Sequence, residues 1–225
     1  MIARLGPLGS VLPAARRGVA FELALYRGLG RWVTRRLDIP PDATAFGYVG
    51  AVAVLLWAFI VVSAVELVVL HLILPWDVVR IVADVLGVWG LVWMLGLMGS
   101  LNVYPHLVTA DGLRLRNGGS LDITVPWNAV ASVGPRERSR DRSRTLQVDR
   151  PDDGGPACLN VVVGSRTNVD IELTAPLEIA LHGVVERVAR VRLCADDPRG
   201  LAHAVRHRIA DAARQVDVRT DAHRR

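Results

Sequence analysis

Two groups of residues have the types and spacing to do chemistry. The first is Arg136-Glu137-Arg138-Ser139-Arg140-Asp141-Arg142-Ser143-Arg144, in which arginine recurs at every second position. Side chains alternate between the faces of an extended strand, so Arg136, Arg138, Arg140, Arg142 and Arg144 would line one face, with two acids and two serines opposite. Such a face suits anionic headgroups, at about 1 kcal/mol per arginine near a charged bilayer. Folded as a solvated loop, the same run binds nothing specific, and Glu137 and Asp141 offset part of its charge. The second group is Glu66, His71, Arg80 and Asp84, ionisable side chains set within an apolar stretch. Glu66 and Asp84 beside Arg80 leave a titratable excess, which suits a proton or ion relay. The same residues also suit polar glue that fixes the register of two helices, because a lone charge in hydrocarbon costs several kcal/mol and needs a partner.

Other constellations are thinner. His203 and His207 are four apart on a helical stretch, a spacing that can bind a metal, but no third ligand accompanies them. Cys158 and Cys194 lack metal-ligand spacing and read as free thiols, small and apolar. Asp152-Asp153-Gly154-Gly155 reads as a hairpin tip. The chain has no phosphate loop, nucleophile elbow or glycine fingerprint, so neither a reaction, a cofactor nor a metal is expected.

The elements that must position these residues follow from hydropathy. Phe46–Leu74 and Val78–Leu101 are long apolar segments joined at Pro75-Trp76-Asp77. Each supplies the roughly 20 apolar residues that a membrane-spanning helix needs. They predict a transmembrane helical hairpin over 46–101, with His71 level with Arg80 and Glu66 level with Asp84 and Val85. Small residues at Ala83/Gly87 and Gly96/Ser100 would permit close helix approach and homo-oligomer formation. Residues 1–45 form a basic N-terminal tail, in which Phe21, Leu25, Leu29, Trp32, Val33 and Leu37 predict an amphipathic helix over 19–37. Its arginine face suits it to lie on a bilayer surface or against the soluble domain. All 27 basic residues are arginine and the net charge is +5. Seven arginines precede the first span, so the positive-inside rule puts both termini in the cytoplasm and the chain in the plasma membrane as a multi-pass protein. The hairpin already accounts for placement at a membrane, so the basic balance does not by itself call for nucleic acid.

After Asn102 the apolar period changes from helical to two. His106–Thr109, Leu113–Arg116, Leu121–Val125, Ala129–Val133, Thr145–Val148, Ala157–Val163, Asn168–Leu173 and Arg187–Cys194 predict short antiparallel strands. Asp197 and Pro198 then predict the cap and first residue of a helix with Leu201, Val205 and Ile209 on one face. The expected domain covers 102–215, with 216–225 as a disordered tail.

The stretches Pro105–Gly118, Ile123–Val130, Thr167–Leu173 and Asp196-Asp197-Pro198 resemble the bacterial, actinobacterial membrane proteins that carry a pleckstrin-homology-like (PH-like) domain behind a two-pass hairpin. The resemblance covers roughly residues 20–215, and its motifs are turns and strand ends. It implies an α+β membrane protein in which a PH-like antiparallel β-barrel is capped by the C-terminal helix, and it implies no reaction. Hairpin and domain together predict a membrane-anchored, non-enzymatic binding or adaptor module at the inner leaflet, contacting a protein partner or anionic lipid. The alternative is a small oligomeric transport or ion-coupling component that uses Glu66, Arg80 and Asp84.

Overall fold

The computed structural model describes residues 8–118, 121–139, 145–181 and 184–223. Contacts divide the chain into two units: one gathers the N-terminal helix with the two apolar helices, the other Ile39–Val52, Pro105–Asn117 and the chain from Leu121 onward.

The first unit holds α1 (Leu8–Val33), α3 (Asp77–Val103) and all but the first turn of α2 (Gly50–Ile73). Both α2 and α3 are long and apolar enough to cross a membrane, with mean hydropathy 2.7 and 2.0. Only 6% and 11% of their most apolar stretches are buried, so they are not core helices of an ordinary globular fold. Leu74, Pro75 and Trp76 join them, and proline there can continue neither helix. Arg80 secures the turn, donating to the Leu74 carbonyl at 3.3 Å and pairing with Asp77.

The N-terminal helix packs on α3. It runs parallel to α3: Phe21 meets the Trp93 ring at 6.5 Å, Leu25 covers Gly96, Gly28 abuts Ser100, and Arg31 donates to the Tyr104 hydroxyl at 3.5 Å. The cause lies in α3, where Gly96, Gly99 and Ser100 leave a groove that Leu25, Leu29 and Trp32 fill. The small-residue spacing that suggested oligomer formation is thus used within the chain. A Cβ on Gly28 would sit 2.9 Å from the Ser100 Cα, too close for either backbone to stay in place. Gly28→Val should therefore part the helices, costing about 1–3 kcal/mol. The check is a disulfide between Phe21→Cys and Trp93→Cys, which should form readily alone and several-fold less once Gly28→Val is added. Equal yields would mean that the glycine contact does not hold the pair together.

The second unit begins before the hairpin. Its first sheet orders β1 (Thr44–Phe46), β2 (His106–Val108), β3 (Gly112–Asn117) and β4 (Leu121–Pro126), all antiparallel. The second orders β5 (Val130–Ser139), β8 (Arg166–Leu181), β9 (Val184–Leu193), β7 (Ala157–Val161) and β6 (Leu146–Asp149). The expected closed antiparallel barrel is not formed. β7 pairs with β9 in parallel, and β4 passes to β5 through a single 3-10 turn, Trp127–Ala129, so the described strands make two separate sheets. The turn redirects the chain between sheets instead of extending either ladder.

The two sheets and α4 (Pro198–His223) share one core, which includes Leu115, Val125, Trp127, Leu159, Ile171, Val191, Leu201 and Val205. Trp127 is buried and its indole N–H donates to the Ala110 carbonyl at 3.0 Å. Asp197 caps α4, accepting from the Gly200 N–H at 2.8 Å, and Pro198 opens the helix. The helix runs to His223, across the segment read from sequence as the start of a tail.

Candidate anion-binding cleft

A cleft of about 570 Å³ opens in the second unit, where the start of α2, one end of β5 and β8, and the start of α4 converge. Its charged lining is Arg136 and Glu137 from β5, Arg166 from β8, Asp196 after β9 and Arg199 in the first turn of α4. Glu137 engages Arg166 only loosely, at 3.8 Å. Asp196 is committed elsewhere: its Oδ1 accepts from the Gly50 N–H at 2.8 Å, and its own N–H donates to the Gly47 carbonyl at 2.7 Å. It thereby caps α2 from 146 residues downstream, satisfying one of the orphan donors at a helix start. Among the described residues Arg136 and Arg199 have no acidic partner, so the cleft presents guanidinium donors that a phosphate or carboxylate could accept.

The walls are held by buried polar contacts. Asn168 imitates a strand neighbour, donating through Nδ2 to the Ala195 carbonyl at 2.7 Å and accepting the Ala195 N–H at 2.8 Å. Cys194, directly before Ala195, is buried, and that burial pushes its thiol above the usual range although Arg166 pulls the other way. Behind it lies His106, wholly buried, its ring 4.9 Å from that of Tyr48. Its Nδ1 accepts the Arg116 N–H at 3.2 Å, so Nε2 carries the proton and donates to the Cys194 carbonyl at 3.1 Å. Burial is the main cause that lowers this imidazole to about 4, with Arg116 adding to it and the Cys194 bond opposing.

The residues singled out from sequence divide. Arg136 lines the cleft, but Arg138 is engaged by Asp170 at 3.3 Å, and Asp170 also faces Arg192 at 3.4 Å. The ladder between β5 and β8 shifts register between Pro135 and Arg138, and such a bulge breaks the alternation that would have put both arginines to one use. Arg140, Arg142 and Arg144 lie outside the described residues. In the hairpin, His71 Nδ1 donates to Asp84 Oδ2 at 2.7 Å, while Arg80 is spent on Asp77 and the turn. Helical side chains lean toward their own N-terminus, so His71 tilts away from the turn and Asp84 toward it. They meet although their Cα atoms are not level. Glu66 is exposed and, among the described residues, has no hydrogen-bond or ion-pair partner. His207 pairs with Asp211 at 2.9 Å, and no three metal-ligating side chains converge among the described residues.

Arg166, Asn168, Asp196 and Arg199 were not found by sequence reasoning. The first two sit on an ordinary-looking strand, and Asp196 acts on a backbone far from it along the chain, so no local spacing marks them. Comparison with protein-family models, with curated proteins and with solved structures yields no match in any of the three.

Proposed function

We propose that this chain is a membrane-anchored, non-enzymatic binding module of PH-like type. Its cytoplasmic domain receives anionic lipid headgroups between Arg136, Arg166 and Arg199. The observation that carries this reading is that Gly50 and Ala51, the first two residues of the apolar helix α2, form part of the cleft wall. A helix that enters a bilayer passes through the headgroup layer with its first turn, so a cleft built on that turn meets phosphates at their own depth. Supporting it, Arg27, Arg31, Arg35 and Arg36 crowd the approach to α2, as expected of a cytoplasmic flank.

The test uses the full chain in mild detergent, titrated with phosphatidylglycerol and, separately, phosphatidylcholine. Binding should favour the anionic lipid and weaken as salt is raised. The triple variant Arg136→Ser, Arg166→Ser, Arg199→Ser should lose roughly a hundredfold in affinity, from about 1 kcal/mol per arginine. Equal binding of both lipids, or an unaffected triple variant, would refute lipid recognition by the cleft.

A further inference from the structure

The apolar helices carry one more feature, independent of the cleft, and it rests only on α2 lying in a bilayer. Leu55, Phe59, Val62, Glu66, Val69 and Ile73 follow one another at alternating steps of four and three along α2. That is the period of a helix-helix seam, and a polar residue at one seam position fixes the register and number of strands. The five apolar members are 43–70% exposed, and Glu66 is exposed with them.

The small-residue seams within the unit are already occupied. Gly96, Gly99 and Ser100 are covered by α1, and Gly87 is covered by Leu67. The other ionisable groups of α2 and α3 have partners: His71 holds Asp84, and Arg80 holds Asp77 and the Leu74 carbonyl. Among the described ionisable side chains of α2 and α3, Glu66 alone is left to meet lipid, where a carboxyl without a hydrogen-bond partner is costly.

We propose that two copies of this chain associate through the Leu55–Ile73 seam of α2, with the Glu66 carboxyl of one copy hydrogen-bonded to Glu66 of the second copy. A second copy is the occupant that this geometry fits. Chains inserted with the same topology have parallel α2 helices, so the two Glu66 side chains necessarily lie at one depth. A two-fold axis then brings each seam onto itself. Facing carboxyls can share protons between their oxygens, so each is satisfied without any basic residue. An interhelical hydrogen bond of this kind strengthens association in lipid.

The experiment is oxidative crosslinking of the full chain in native membranes, after confirming that the chain sediments with the membrane fraction. Single substitutions Val62→Cys and Val69→Cys place thiols on the seam. Val61→Cys and Val68→Cys place them off the seam, about 100° round the same helix, and the unsubstituted chain reports any background from Cys158 and Cys194. Disulfide-linked dimers should form at 62 and 69 and not at 61 or 68. Adding Glu66→Leu to Val62→Cys should weaken dimer formation roughly five- to thirtyfold, and Glu66→Gln should restore it. Dimers at all four positions or at none would overturn the proposal, as would dimers indifferent to Glu66→Leu. A crosslinked species of another mass would mean that a different protein covers the seam. Failure to sediment with membranes would instead overturn the membrane reading itself.

Discussion

Replacing Asn168 with alanine should destabilise the second unit by about 2–6 kcal/mol, because it strands two buried backbone groups at once. Asn168 satisfies both the N–H and the carbonyl of Ala195, which is 2% exposed and so has little water to turn to. Each unpaired group costs about 1–3 kcal/mol, and the loss falls where the chain leaves β9 to start α4. Asn168→Asp makes the argument quantitative. It keeps an acceptor for the Ala195 N–H but withdraws the donor from the carbonyl, so its loss should lie between wild type and alanine. Urea unfolding of the full chain in detergent, followed by tryptophan fluorescence, gives the ranking. Asparagine, aspartate and alanine chains of equal stability would show that the side chain does not bridge the two segments.

The second large effect concerns acid. The buried His106 is lowered to about 4, whereas an unfolded chain protonates its histidines near 6.5. The folded state therefore binds fewer protons than the unfolded state throughout that interval. The contribution is complete above about pH 6.5 and is lost as pH falls through about 4, an expected loss of roughly 3 kcal/mol. Carboxylates also titrate in that range, so the informative quantity is a difference. His106→Asn, which keeps a polar side chain but cannot be protonated, should be less stable at neutral pH yet lose less on acidification. Parallel stability curves for the two chains would place the acid sensitivity elsewhere.

How much of this could be read from the letters depends on how far each contact reaches along the chain. The two apolar helices were legible because hydropathy is local, and so were the strands after Asn102 and the Asp197-Pro198 start of α4. The terminal-helix contact with α3 was not, because Gly96, Gly99 and Ser100 advertise a groove without saying what fills it. Three-residue β1 was missed altogether. Thr44, Ala45 and Phe46 are too few to show alternation, and the partner that makes them a strand lies beyond both apolar helices. The barrel expectation failed for a related reason: nothing in Ala157–Val161 tells that it will pair in parallel with β9. The alternating arginines show the limit of pattern itself. Arg136 and Arg138 obey the two-residue period in sequence, yet the register shift beside them gives one to the cleft and the other to Asp170.

The ladder of Thr44, Ala45 and Phe46 with Val108, Leu107 and His106 has a consequence for biosynthesis. β1 leaves the ribosome well before β2, and both apolar helices lie between them. β1 can join its ladder only once the far ends of both apolar helices have been brought together. A chain that stalls halfway keeps the outer edge of β2 uncovered, and an open edge invites pairing with other chains. Bringing those helix ends together and sealing the sheet are thus one event, and until it happens the edge of β2 stays open.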